Sequence, residues 1–124
     1  MPRKLLFVCF TDDSCRLIHA MWWAKEAHEA GHEVKILLEG LSTRCVTWLS
    51  NPELQDFSEA FNEAKKLGLL AGVCQAAASG CAGEAGKEKP IEAAKAHGLE
   101  MKNSLKGHAG LAEFLNKGFE VITF

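Results

Sequence analysis

The stretch from Lys4 to Leu38 sets a short apolar run, a helix-period segment stopped by glycine, and a second apolar run in succession. Few folds accommodate that order. Lys4 to Phe10 reads as a strand in which Leu5, Leu6, Phe7, Val8 and Cys9 are all apolar. Such continuity suits a parallel strand buried on both faces. Thr11-Asp12-Asp13-Ser14 is a loop rich in residues able to cap a helix. That helix runs from about Cys15 to Ala30, with Leu17, Ala20, Met21, Ala24 and Ala27 on one face and Gly31 just past its end. Trp22 and Trp23 flank the face, and one small core cannot take both. His32 to Leu38 is the second strand. Strand, helix and strand over about 35 residues make a βαβ unit, hence a parallel pair joined by a right-handed crossover.

The remainder continues the alternation. Leu41 to Ser50, with Arg44, Cys45 and Trp48, reads as a short helix or a loop, and Asn51-Pro52 punctuates it. Phe57 to Leu67 is an amphipathic helix with Phe57, Ala60, Phe61 and Ala64 at helical spacing. Gly68 stops it, and the buried strand Leu69 to Val73 leads to Cys74 and then to an alanine run that favours helix. Ser79 to Gly86 holds three glycines in eight residues, so flexibility is expected there. Pro90 opens another helix, which ends at His97-Gly98. Leu99 to Leu105 has room for a short strand, and Gly107-His108-Ala109-Gly110 turns into a helix reaching about Lys117. Glu120 to Phe124 is a final strand. The pattern predicts one domain over residues 1–124, an α/β three-layer sandwich (α/β/α) around a mainly parallel sheet of four or five strands.

Composition narrows the function. The net charge is −2 with no basic block, so neither nucleic acid nor an anionic membrane is an expected partner. No apolar run approaches the roughly 20 residues that span a bilayer. The first residues lack the apolar core of a signal peptide, and a cytoplasmic location is the expectation. Five cysteines, an odd number without framework spacing, are expected as thiols. With no Cys-x-x-Cys, no His-Glu-x-x-His and five scattered histidines, no metal site is expected.

Cys74 carries the chemical expectation. At the carboxyl end of a strand it occupies the place where open α/β sheets bind ligands. A helix amino terminus beside it would favour thiolate over thiol, bring its pKa below about 8.5, and make it the most readily alkylated cysteine. A buried cysteine filling space as a small hydrophobe accounts for the same pattern. Cys81 is the candidate second thiol, on one condition. In an unbroken helix it would sit about 10 Å along the axis from Cys74, too far for a disulfide, so Ser79-Gly80 must break the helix. Asp12 is either a cap for the first helix or a group facing the Cys74 site. His108, in its glycine-rich turn, has the freedom to approach the thiol. His19 reads as a surface or interface residue.

The first loop, Cys9 to Arg16, looks at a glance like the Cys-x5-Arg phosphate loop of low-molecular-weight protein phosphatases. Six residues intervene here, and Asp12 and Asp13 would repel a phosphate dianion. The Ser or Thr after the arginine is replaced by Leu17, and a chain without tyrosine cannot supply an Asp-Pro-Tyr acid. The same loop lacks the Ser/Thr/Gly-rich cradle of a flavodoxin-like flavin site. No cofactor is expected.

The whole chain instead resembles the DsrE/DsrF-like family of small sulfur-relay proteins. The resemblance lies in Leu5-Leu6-Phe7-Val8, an Asp-containing loop, Ala30-Gly31-His32-Glu33-Val34, Glu39-Gly40, and the strand Leu70-Ala71-Gly72-Val73-Cys74. It extends to Leu105-Lys106-Gly107-His108 and the closing Gly118 to Phe124. The resemblance implies a cytoplasmic sulfurtransferase that accepts sulfane sulfur as a persulfide on Cys74 and hands it to a partner thiol. It implies sulfur donor and acceptor proteins as partners, and a homotrimer or a hexamer of two trimers, with Trp22, Trp23 or Trp48 facing a neighbour. Many members carry a second cysteine three residues on, where this chain has Ala77. The competing expectation is a non-catalytic binding or assembly subunit of the same fold, with Cys74 structural.

Overall fold

The computed structural model describes residues 1–124. Its strands are β1 (Lys4–Cys9), β2 (Glu33–Leu38), β3 (Leu70–Cys74), β4 (Met101–Lys102) and β5 (Glu120–Thr123). Its α-helices are α1 (Ser14–Glu29), α2 (Gln55–Lys66), α3 (Pro90–Ala96) and α4 (Ala112–Asn116). The strands form one sheet in the order β4-β3-β2-β1-β5. Every pairing is parallel. The α/β sandwich read from the alternation is the observed fold, with five strands. No helix is long and apolar enough to cross a membrane.

The strand order dictates how the helices distribute. From β1 through β4 the chain steps across the sheet in one direction, so right-handed crossovers bring α1, α2 and α3 to the same face. The last connection returns from β4 to β5 in the opposite direction and therefore crosses the other face, carrying α4. The side chains follow this division. Phe7, Cys9, Ile36, Leu38 and Val73 point to the first face and pack with Leu17, Met21, Phe57, Phe61 and Ala94 in a cluster of 20 buried residues. Leu6, Val8, Leu37 and Cys74 point to the second, beneath Ala77, Ala109, Phe114 and Phe119, in a cluster of only 8. The sandwich is thick on one side and thin on the other.

Local chemistry sets the element boundaries. Asp13 is the cap of α1, its Oδ1 accepting from the backbone N–H of Cys15 at 2.8 Å and of Arg16 at 3.4 Å. Asp12, one residue earlier, is not the cap. The segment that read as short helix or loop is a 3-10 helix, Gly40–Trp48. Its length is unusual for that geometry. Three hydroxyls explain it by donating to the carbonyl three residues back: Ser42 to Glu39 at 2.7 Å, Thr43 to Gly40 at 2.9 Å and Thr47 to Arg44 at 2.7 Å. Trp48 is partly buried, its ring packed edge-on against Phe57 of the core.

β3 contains a bulge. Ile36 pairs with Leu70 and Leu37 with Gly72, so Ala71 is the extra residue. Gly72 has φ +153, and a Cβ there would lie 2.7 Å from the Glu100 carbonyl oxygen and 2.9 Å from Lys102 Cγ. The carbonyl is not free to retreat, since it accepts from the Val73 N–H at 2.9 Å. Gly72→Ala is therefore expected to destabilise the protein by about 1–3 kcal/mol, read as a lower urea midpoint at unchanged slope. A midpoint equal to that of the parent protein would show that β4 yields without penalty.

Candidate functional site

The returning connection from β4 to β5 lays a turn over the end of β3. Leu105 and His108 close it with paired backbone hydrogen bonds, Leu105 N–H to His108 O at 2.9 Å and His108 N–H to Leu105 O at 2.8 Å. Both intervening residues have positive φ, Lys106 at 51° and Gly107 at 86°. Such a pair is the geometry of a tight two-residue hairpin turn. The turn is strapped down at two points. Gly107 O accepts from the Ala76 N–H at 2.9 Å, and Asn103 Nδ2 donates to Gln75 Oε1 at 3.1 Å. Both partners follow Cys74 directly in sequence.

The strap brings His108 and Ala109 onto the Cys74 thiol. His108 Nδ1 stands 3.5 Å from Sγ, and the Ala109 N–H donates to Sγ at 3.5 Å. Nδ1 accepts the thiol proton when His108 carries its own hydrogen on Nε2. Glu39, just past the end of β2, is the third member of the group and acts on the electrostatics of Cys74. Cys74 itself is fully buried.

Burial governs the electrostatics. It pushes the Cys74 thiol above its ordinary pKa, because a thiolate loses more solvation than a thiol. The N–H groups of Ala109 and Ala77 favour the thiolate, while the charge and hydrogen bond of Glu39 oppose it. The net direction is upward. This corrects the expectation of a depressed pKa: two N–H donors do not offset the lost solvation. Burial also raises Glu39, against the pull of its bond with Cys74 and of positive charge on His108.

A cavity of about 520 Å³ opens beside this group. Its walls are mostly apolar, from Val8, Phe10, Leu111 and Val121 among others, and its polar lining comes from Glu39, His108 and Thr123. Cys74 lies behind the wall, one side chain away. No set of three His, Cys, Asp or Glu side chains converges to hold a metal ion.

The other candidates lie elsewhere. Residues 75–81 remain helical through Ser79-Gly80, the last five as a π-helix, Ala77–Cys81. The break that would bring Cys81 back to Cys74 is absent, and Cys81 is exposed on the far turn. Asp12 does not face the thiol; it pairs with Arg44 at 2.9 Å. Arg44 also donates to the Ala82 carbonyl at 2.9 Å and stands 3.8 Å from Glu84. It thus ties the first loop to the glycine-rich segment. His19 accompanies Trp22 and Trp23 on the surface of α1, with ring centroids 5.3 and 6.1 Å away. Glu39 enters the sequence reading only through the Glu39-Gly40 pair, with no role at the thiol. Its place at the carboxyl end of β2, beside the strand that ends in Cys74, was the available signal.

A protein of Methanocaldococcus jannaschii described as "Uncharacterized protein MJ0733" is 30% identical over 108 residues, covering 86% of this chain and 78% of the relative. The chain belongs to the family of that protein. An Archaeoglobus fulgidus protein described as "Uncharacterized protein" is 37% identical over 43 residues, 35% of this chain and 70% of the relative. No family model matches the chain. No solved structure matches it. Neither description carries an activity, so the chemistry rests on the residues themselves.

The five thiols are expected to divide by exposure. In a time course with iodoacetamide at neutral pH, exposed Cys15 and Cys81 label first and Cys74 follows. Cys9, pushed up to about 12 by burial, and Cys45, raised well above the ordinary value, label last. Glu39→Gln is expected to move the Cys74 labelling profile to lower pH, since it removes the charge that holds the thiol protonated. A profile that does not move would separate Glu39 from the thiol.

Proposed function

We propose that this protein is a DsrE-like sulfur carrier, a sulfurtransferase that accepts sulfane sulfur on Cys74 and passes it to a partner thiol. The observation carrying the reading is the approach of His108 Nδ1 to Cys74 Sγ at the carboxyl end of β3, beside a cavity. A thiol held at a raised pKa needs a base to ionise it on demand, and an imidazole at this distance is such a base. The Cys74 thiolate attacks the outer sulfur of a donor persulfide. A bond from Sγ to that sulfur forms, the donor's S–S bond breaks, and its electron pair leaves with the donor thiolate. No net oxidant or reductant is consumed. Because Cys74 is buried, the Leu105–Ala109 turn has to shift before any donor reaches it.

Full burial equally favours the second reading, a binding or assembly subunit in which Cys74 is structural. Intact-mass analysis after incubation with a persulfidated donor separates them. A reductant-removable gain of roughly 32 Da, absent in Cys74→Ser, is expected for the carrier. An adduct that persists in Cys74→Ser would move the chemistry to another cysteine. No adduct at all would leave the structural reading standing.

The protein acts as a homo-oligomer, a trimer or a hexamer of two trimers, with sulfur donor and acceptor proteins as partners. Support comes from β5, an edge strand with all four residues exposed, and from the surface beside it. Trp22, Trp23 and Ile122 are each about half exposed. An apolar edge strand of this kind is normally covered or blunted. Light scattering coupled to size exclusion is expected to give a multiple of 13.5 kDa. A mass of one chain across micromolar concentrations would remove the oligomer.

A further inference from the structure

The cavity beside Cys74 has a selective chemistry of its own. No lysine or arginine lines it, and its one ionisable acid is Glu39. Its apolar walls continue onto the surface through Phe10, Leu105, Leu111 and Val121, all more than a third exposed. A carboxylate-bearing donor entering here would lose water, find no lysine or arginine, and meet the charge of Glu39 beside His108. With Glu39 ionised that is an unfavourable exchange. An uncharged apolar group gains by the same transfer, and a volume of about 520 Å³ lies in the range of small-molecule sites.

We propose that this cavity binds the uncharged, apolar organic end of a small persulfide or thiol, placing its sulfur at His108 so that it meets Cys74 when the Leu105–Ala109 turn shifts, and that it excludes anionic sulfur donors. The proposal deepens the carrier reading and rests on it for the transfer step. In that step His108 Nδ1 takes the Cys74 proton, and Sγ bonds to the outer sulfur of R–S–S–H. The donor's S–S bond breaks, its electron pair leaves with R–S⁻, and His108 returns the proton to give R–SH. The hydrogen already on the outer sulfur stays there, leaving Cys74 as a persulfide.

Binding and transfer are tested separately on the full chain. Benzyl methyl sulfide is a neutral, unreactive thioether; S-methylglutathione presents the same sulfur with two carboxylates. In amide NMR titrations the first is expected to shift Leu105, His108, Ala109 and Leu111 saturably. The second is expected to bind more weakly by roughly tenfold or more, since an unpaired carboxylate resists leaving water. Val121→Lys, at an exposed position on the cavity wall, should narrow that gap by strengthening S-methylglutathione. No saturable shift with benzyl methyl sulfide, or equal or tighter binding of S-methylglutathione, would overturn the proposal. So would shifts at these amides that follow protein concentration and resist the ligand, because the occupant would then be a second copy of the chain. Sulfur adducts from benzyl and glutathione hydropersulfides, normalised to a reference thiol, complete the test. Selective binding without any adduct keeps the cavity and removes the carrier reading. Adducts at equal rates without selective binding keep the carrier and remove the cavity proposal.

Discussion

The handedness of the strand crossovers is the constraint on which the rest of the structure depends. Three successive right-handed connections stepping from β1 to β4 commit three helices to one face of the sheet. Only the return to β5 can cover the other face, and it brings a helix of five residues. Cys74 points to that thinly covered side, because alternation along β3 sends Val73 to the thick core and the next residue the opposite way. Had the strand ended one residue earlier or later, the thiol would lie beneath α-helices or outside the sheet. The single long connection that crosses the thin face is also the one that delivers His108.

The same geometry decides which electrostatic effect prevails. A thiol under a thin cover, left bare, would be solvated and ordinary. The Leu105–His108 turn removes that solvation, and the N–H groups of Ala77 and Ala109 return only part of it. Lys106 adopts a left-handed conformation at a cost of about 1 kcal/mol, which the backbone bonds on either side and the tie from Gly107 to Ala76 overcome. Strain concentrated in a turn that seals a cysteine is a store that favours opening more than a relaxed glycine pair would.

Most of the fold was legible because its signals are local. Apolar runs marked all three long strands, and the glycines after α1 and α2 marked where those helices stop. The candidate site was legible in Cys74 alone. His108 is 34 residues away in sequence, and only the topology of the return crossover brings it back. Glu39 joins from a third element. Asp12 is a candidate cap in the sequence, whereas the cap is its neighbour Asp13, a distinction that composition does not carry. Asp12 then found its partner in Arg44, inside a 3-10 helix whose hydroxyl bonds to the third carbonyl back leave no signature in apolar periodicity. The pKa direction was misjudged for a related reason: strand-end position was readable, but the strap that buries the thiol was not.

The two faces of β5 keep the proposed surfaces apart. Ile122 and the following Phe124 turn toward Trp23 and α1, where they line a second cavity of about 350 Å³ with Cys15 and His19. Val121, on the alternate row, turns toward Glu39, His108 and the cavity beside Cys74, and Thr123 borders both cavities. The period of two along a strand thus separates Ile122, on the tryptophan side, from Val121, on the thiol side. An interface built on the tryptophan side leaves the cavity open to a small ligand. An interface built on the Val121 side closes it and adds a neighbouring chain to its wall. Assembly and ligand access are therefore independent only if copies join through α1, and the strand's alternation makes that arrangement available without any change to the site.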